Sequence, residues 1–184
     1  MDLPNKKYNI IYADPPWHYG SKSAVNNTTG SAIKPLSDHY HTMALRDLKQ
    51  MPIKNMTHAD AVCFMWVTDS HIDEALQIFG AWGFKYKTVA FNWIKTTSKG
   101  NYCKNVAPWT MKSSELCLLG IKGKMTKYKQ ANNIESLVIE QRTQHSKKPA
   151  EVRRRIELLF GDLPRIELFA REQTEGWDVW GDEV

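Results

Sequence analysis

The sequence predicts an α/β domain, a mostly parallel β-sheet with helices on both faces. Short runs rich in β-branched and aromatic residues recur along the chain, with amphipathic helical patterns between several of them. The run at 59–68, ADAVCFMWVT, is almost continuously apolar, as expected of a strand covered on both faces. No repeat or linker divides the 184 residues, so 1–184 reads as a single domain, long enough to bury a substantial core without staples.

The first strand is YNIIYA, residues 8–13, rich in side chains that favour a pleated surface. Asp14-Pro15-Pro16-Trp17 follows, and the two prolines forbid both a helix and further ladder pairing. The chain therefore leaves the sheet at Asp14 in a stiff, extended turn. Residues 18–38 form a long polar loop of the size that is usually functional or disordered. Thr42 is the expected cap of a short helix running through Gln50, with Pro52 beyond its end.

After the 59–68 strand, Asp69 or Ser70 is expected to cap the helix HIDEALQIFGAWG. Its inward residues are expected to be Ile72, Ala75, Leu76 and Phe79, and Gly83 ends it. FKYKTVAFNWIK is a third strand, followed by a polar loop from Thr96 to Ala107. ELCLLGIKG and SLVIEQ are the fourth and fifth, with the basic loop KGKMTKYKQANN between them. Pro149 opens the amphipathic helix PAEVRRRIELLF, with Val152, Ile156, Leu159 and Phe160 inward. Arg153, Arg154 and Arg155 fall on its solvated side. RIELFA is a last core strand, and GWDVWGDEV closes near the surface.

Composition excludes several classes. No run approaches the roughly 20 apolar residues of a membrane span, and no signal-peptide pattern opens the chain. Cys63, Cys103 and Cys117 are widely spaced and never form a CxxC pair. Neither a disulfide framework nor a metal site is expected, and a reducing, cytoplasmic location fits. A net charge of +5 hints at a polyanionic partner, and seven tryptophans supply flat faces for bases as well as core.

Ligands of open parallel sheets sit beyond the carboxyl ends of the strands. Asp14 lies at one such end and Arg171 at another, so neighbouring strands would bring both to one crevice. The residue before a proline is biased to extended backbone, so the Asp14 carboxylate and the Pro15 carbonyl are read as two fixed outward acceptors. An aromatic amine such as adenine's has two donor hydrogens to meet them, and capturing both exposes its nitrogen lone pair for attack. Trp17 would stack on the base, typically worth ~1–3 kcal/mol. The alternative is a proline-rich turn with Trp17 in the core.

Asp14-Pro15-Pro16-Trp17 after a hydrophobic strand resembles the DPPW signature of the MT-A70 family, S-adenosylmethionine-dependent N(6)-adenine methyltransferases acting on RNA or DNA. The likeness extends along the chain. Tyr40 in HYHTM, the strands FMWVT, NWIK and SELCLLGIKG, Lys148-Pro149 in HSKKPAEV, and IELFAR with GWDVWGDE all resemble family segments in the same order. The resemblance implies a Rossmann-like class I methyltransferase fold in permuted motif order, which accounts for the missing glycine-rich turn. It implies catalysis at Asp14, Pro15, Pro16 and Trp17. It also implies cofactor contacts from Asp14, Lys148, Arg171, Asp182 and Glu183, although Asp182 departs from the asparagine usual there. The short stretch before Asp14 leaves no partner assigned to the cofactor's adenine.

Substrate contacts are expected from Trp17, Tyr40, Trp93 and Lys95. Lys122, Lys124, Lys127 and Lys129 around Tyr128 read equally as a phosphate-binding surface or a solvated loop. The target adenine must leave its stack to reach Asp14. The absence of zinc-finger and regulatory segments favours a bacterial or phage enzyme on DNA. RNA, and a non-catalytic nucleic-acid-binding partner subunit, are the alternatives, and a homodimer is a possible assembly.

Overall fold

The computed structural model describes residues 2–18, 42–107, 109–143 and 147–184. Among the described residues, seven strands form one sheet: β1 (Tyr8–Ala13), β2 (Thr57–Val67), β3 (Lys85–Thr96), β4 (Ser114–Lys122), β5 (Leu137–Gln141), β6 (Arg165–Leu168) and β7 (Asp178–Trp180). Their spatial order is β5-β3-β4-β2-β1-β6-β7. β1 lies between β2 and β6, parallel to both, and β7 and β5 pair in parallel with β6 and β3. Of these seven strands only β4 runs antiparallel, between β2 and β3. The sheet is thus mixed but mostly parallel, consistent with the expected Rossmann-like methyltransferase fold.

All six residues of β1 are buried because helices cover both faces. Helices α1 (Leu45–Gln50) and α2 (Ile72–Ala81) cover one face, where Ile11, Ala13, Met65, Leu48, Ile78 and Phe79 pack together. Helix α3 (Ala150–Phe160) covers the other, against Ile10, Tyr12, Phe64 and Phe91. Ile10 and Ile11 are each 0% exposed, and burial at that level stabilises by about 1.5–3 kcal/mol per side chain. Gly120 on β4 allows α2 close approach, since a Cβ there would lie 2.6 Å from the Phe79 ring. Among the described residues no helix is long and apolar enough to cross a membrane.

Several local expectations are corrected. Thr42 does not cap α1; Ala44 holds that position, and the Thr42 hydroxyl meets His18 Nδ1 at 3.0 Å. A short 3-10 turn (Asp69–His71) precedes α2, so neither Asp69 nor Ser70 is its cap. Ile78, not Leu76, faces the core, because the buried stripe follows Ala75, Ile78, Phe79 and Trp82 at i, i+3, i+4 and i+7 spacing, which leaves Leu76 off that face. Arg153 is buried on α3 rather than solvated, held by Glu167 on β6 at 2.9 Å.

Candidate active site

The parallel ladder between β1 and β6 runs to Ala13 opposite Leu168, and the Asp14 N–H donates to the Leu168 carbonyl at 3.4 Å. Pro15 and Pro16 carry no N–H, so the ladder stops there. The chain folds instead into a three-residue turn in which the Trp17 N–H donates to the Pro15 carbonyl at 2.9 Å. The Met43 N–H donates to the Pro16 carbonyl at 3.0 Å, tying the turn to the segment before α1. The Pro15 carbonyl, expected to be uncontested, thus has one lone pair engaged by Trp17; the other remains.

Trp17 is a core residue rather than an open stacking face. It is 5% exposed, its indole N–H donates to the Trp66 carbonyl at 3.3 Å, and its ring stacks on His71 at 5.4 Å. The aromatic ring anchors the turn from beneath. The rigid geometry expected of two consecutive prolines therefore rests on the core as much as on the prolines.

Four charged side chains meet above this turn. Lys148 Nζ lies 2.8 Å from Asp14 Oδ2 and 3.2 Å from Glu115 Oε2. Glu115 also pairs with Lys95. The alternating row Lys95–Glu115–Lys148–Asp14 is largely screened from water, with side chains 9–21% exposed. Two indole faces bed it: Lys148 Nζ lies 5.7 Å from the Trp66 ring and Lys95 Nζ lies 4.9 Å from the Trp93 ring. Trp66 is itself fixed by donating to the Tyr12 hydroxyl at 2.6 Å.

The two acids differ. Burial pushes the Asp14 carboxyl above its ordinary value, even with Lys148 in contact. Burial acts in the same direction on Glu115, but Lys148 and Lys95 together outweigh it and hold Glu115 below the usual range. Burial disfavours the Lys148 ammonium, yet Asp14 and Glu115 override this and raise its pKa. Glu115 is thus the firmly ionised member, and Asp14 the one whose charge its surroundings favour less.

The end of β6 brings the C-terminal candidates to the same edge. Phe169 adopts a left-handed backbone with φ of 62°, uncommon for a bulky residue, and its ring packs edge-on against Trp180 at 5.5 Å. The kink directs the chain to Arg171, whose charge reaches Asp14 electrostatically. Arg171 Nε lies 3.7 Å from Glu183 Oε1. Gly181 makes this approach feasible, because a Cβ there would stand 2.2 Å from the Ala170 carbonyl oxygen. Asp182 and Glu183 are exposed at this rim. A buried lysine, a nearby arginine and exposed rim carboxylates fit the carboxylate and the ribose hydroxyls of S-adenosylmethionine.

Other sequence-predicted contacts lie elsewhere. Trp93 is 2% exposed and its indole N–H donates to the Glu140 carbonyl at 3.0 Å, so it packs rather than lines an open pocket. Lys95 belongs to the buried charge row. Lys122, Lys124, Lys127 and Lys129 are displaced by the reversed direction of β4, whose carboxyl end lies level with the start of β1, across β2. Lys122 donates to Thr57 Oγ1 at 2.7 Å, and Thr57 stands opposite Tyr8. From Tyr8 to Asp14 is about 20 Å along the strand at roughly 3.3 Å per residue. Lys127 pairs with Asp60 at that distant edge, at 2.6 Å. Tyr40 lies outside the described residues.

Glu115 and Trp66 were not legible as site residues. The available signal was an acid opening an otherwise apolar strand, SELCLLG, at the edge shared with Asp14.

The family whose model matches the chain is MT-A70, over residues 8–183. Type II methyltransferase M.MunI from Mycoplasma sp is 38% identical over 192 aligned residues, covering 99% of this chain and 80% of that protein. The N(6)-adenosine-methyltransferase catalytic subunit METTL3 from Homo sapiens is 25% identical over 182 residues, 97% of this chain and 28% of that protein. An Arabidopsis thaliana N(6)-adenosine-methyltransferase MT-A70-like protein is 24% identical, across 96% of this chain and 24% of its own length. The chain thus spans four-fifths of the first relative and about a quarter of the other two.

Proposed function

Because the chain belongs to the MT-A70 family, we propose that it transfers a methyl group from S-adenosylmethionine to the exocyclic amine of adenine in nucleic acid, with Asp14 at the reacting nitrogen. The observation that carries this reading is the convergence of Asp14, Lys148 and Arg171 at one sheet edge.

Asp14 accepts a hydrogen from the target amine, and the remaining lone pair of the Pro15 carbonyl accepts the other. Together they orient the nitrogen lone pair away from the sheet, toward the methyl group. S-adenosylmethionine would supply that methyl as an electrophile on sulfonium sulfur, the S–CH3 bond breaking as the N–C bond forms so that the electron pair leaves with a neutral thioether. Asp14 stabilises the positive charge that develops on nitrogen, and the surplus proton then passes to water. Lys148 would share its charge between Asp14 and the cofactor carboxylate, and Arg171 would line the same end. Asp182 and Glu183 would accept from the ribose hydroxyls. Cys63 and Cys117 take no part as nucleophiles in this reading, since burial pushes both thiols well up.

We take the nucleic acid to be DNA. The support is the fuller match, in identity and in length, to the Mycoplasma type II methyltransferase than to the N(6)-adenosine-methyltransferases. A cytoplasmic location and a homodimer complete the proposal. The deciding experiment is transfer of labelled methyl to matched DNA and RNA pools, followed by nucleoside mass spectrometry. N(6)-methyldeoxyadenosine is expected, with no product from Asp14→Asn. Label in RNA alone would reverse the choice of substrate, and turnover by Asp14→Asn would remove Asp14 from the reaction.

A further inference from the structure

β3 ends at the same edge of the sheet as β1, and the segment 97–113 that joins it to β4 rises from that edge. Its arm is tied down rather than loose. The Cys103 N–H donates to the Lys95 carbonyl at 2.8 Å, and Asn105 and Lys112 exchange backbone bonds of 2.8 and 2.9 Å. Lys112 Nζ reaches Asp69 Oδ2 at 2.8 Å, just beyond the end of β2, so the arm leans across the sheet edge toward the Asp14 side.

On this supported arm stand Met111 and the three most water-exposed large apolar side chains among the described residues. Trp109 is 95% exposed, Val106 84%, Tyr102 62% and Met111 56%. A monomeric protein rarely presents such a cluster without a use for it. The cluster is also cationic: 97–113 contains Lys99, Lys104 and Lys112 and no acid. Lys99 and Lys104 are exposed. Flat rings interleaved with the exposed charges of Lys99 and Lys104 match a single strand of nucleic acid, whose bases stack on the rings while its phosphates meet the lysines. A second copy presenting the same patch would set lysine against lysine.

We propose that the β3–β4 arm is a stacking platform for unpaired bases flanking the target adenine, with Trp109 and Tyr102 as the stacking faces and Lys99 and Lys104 as phosphate contacts. The assignment rests on the nucleic-acid reading above. It replaces the basic loop after β4, at the far edge, as the substrate-binding surface. It also gives the enzyme a preference for single-stranded or locally opened DNA, because a base stacked within a duplex offers no free face.

The test measures binding of a short, labelled, adenine-containing single-stranded DNA by anisotropy, alongside methyl transfer and calorimetric cofactor binding. Trp109→Ala is expected to weaken DNA binding and raise KM by roughly ten-fold or more, the equivalent of stacking one base. Its kcat and cofactor affinity should remain at the wild-type level, and Trp109→Phe should recover most of the loss. Lys99→Gln with Lys104→Gln should flatten the salt dependence of binding by about 0.7 per lysine. Unchanged DNA affinity in Trp109→Ala, with the wild type active on DNA, would overturn the platform and leave the methyltransferase reading intact. So would a dimer, seen by sedimentation, that Trp109→Ala dissociates while DNA affinity holds. A wild type that binds cofactor but neither binds nor methylates DNA or RNA would overturn the proposed function, and the platform with it.

Discussion

Replacing Glu115 by glutamine removes the one negative charge that two screened ammonium groups share. Lys148 would retain Asp14, but Lys95 would lose its carboxylate and keep the Trp93 face at 4.9 Å with at most a neutral acceptor beside it. Breaking a buried ion pair by deleting one partner typically costs about 3–5 kcal/mol. Glu115 is 17% exposed and glutamine keeps one acceptor, so the lower end applies, about 3 kcal/mol. In a chain of this length that lowers Tm by about 6–12 °C, at roughly 2–4 °C per kcal/mol. Because Glu115 titrates below its ordinary value when folded, its contribution is fully present above the unfolded carboxyl range. It is lost as pH falls through the depressed folded value. The gap between wild type and variant should therefore close below about pH 4. Urea unfolding across pH, with a double-mutant cycle against Lys95→Met, measures both quantities. A coupling energy within about 0.5 kcal/mol of zero, or a gap that widens in acid, would refute the shared-charge argument.

Lys148→Met should weaken cofactor binding by ten-fold or more, as loss of a charge-assisted bond of about 1.5–3 kcal/mol requires; calorimetry at neutral pH reads it directly. Trp17→Ala should destabilise the protein by about 3–5 kcal/mol through the cavity left under the turn, and Trp17→Phe by less, measured by chemical unfolding. Lys124→Gln with Lys127→Gln should leave KM for nucleic acid unchanged, since these lysines stand at the opposite edge; a rise in KM would return that loop to the substrate. Gly123→Ala should destabilise without altering kcat, because a Cβ at φ of +67° would lie 2.4 Å from the Ala59 carbonyl oxygen.

Periodicity and turn chemistry were enough to read most of the elements from sequence. The β1 run, the double proline and the amphipathic α3 are each dictated by local forces, and the structure has them where expected. What sequence could not convey was direction. Nothing local in SELCLLGIK says that this strand runs against its neighbours, and that reversal sends the lysines of 122–129 to the far edge. Arg153 reads as solvated because its neighbours are arginines, and only the packing of α3 over β6 brings Glu167 beneath it. Trp17 was given a substrate role because its motif carries chemistry, whereas its environment supplies a carbonyl, a histidine ring and no open face. Glu115 went unread because a single acid at a strand's start looks like a solvated end until Lys95 and Lys148 are placed on either side.

The lone reversed strand also separates two kinds of change. Connections leaving opposite ends of β4 share no surface, so one can lengthen, shed charge or acquire a new partner while the other keeps its chemistry. Sequence drift in the lysine-rich turn by Asp60 is therefore insulated from methyl transfer, while drift in the arm bearing Trp109 would be felt at once in which strands the enzyme marks.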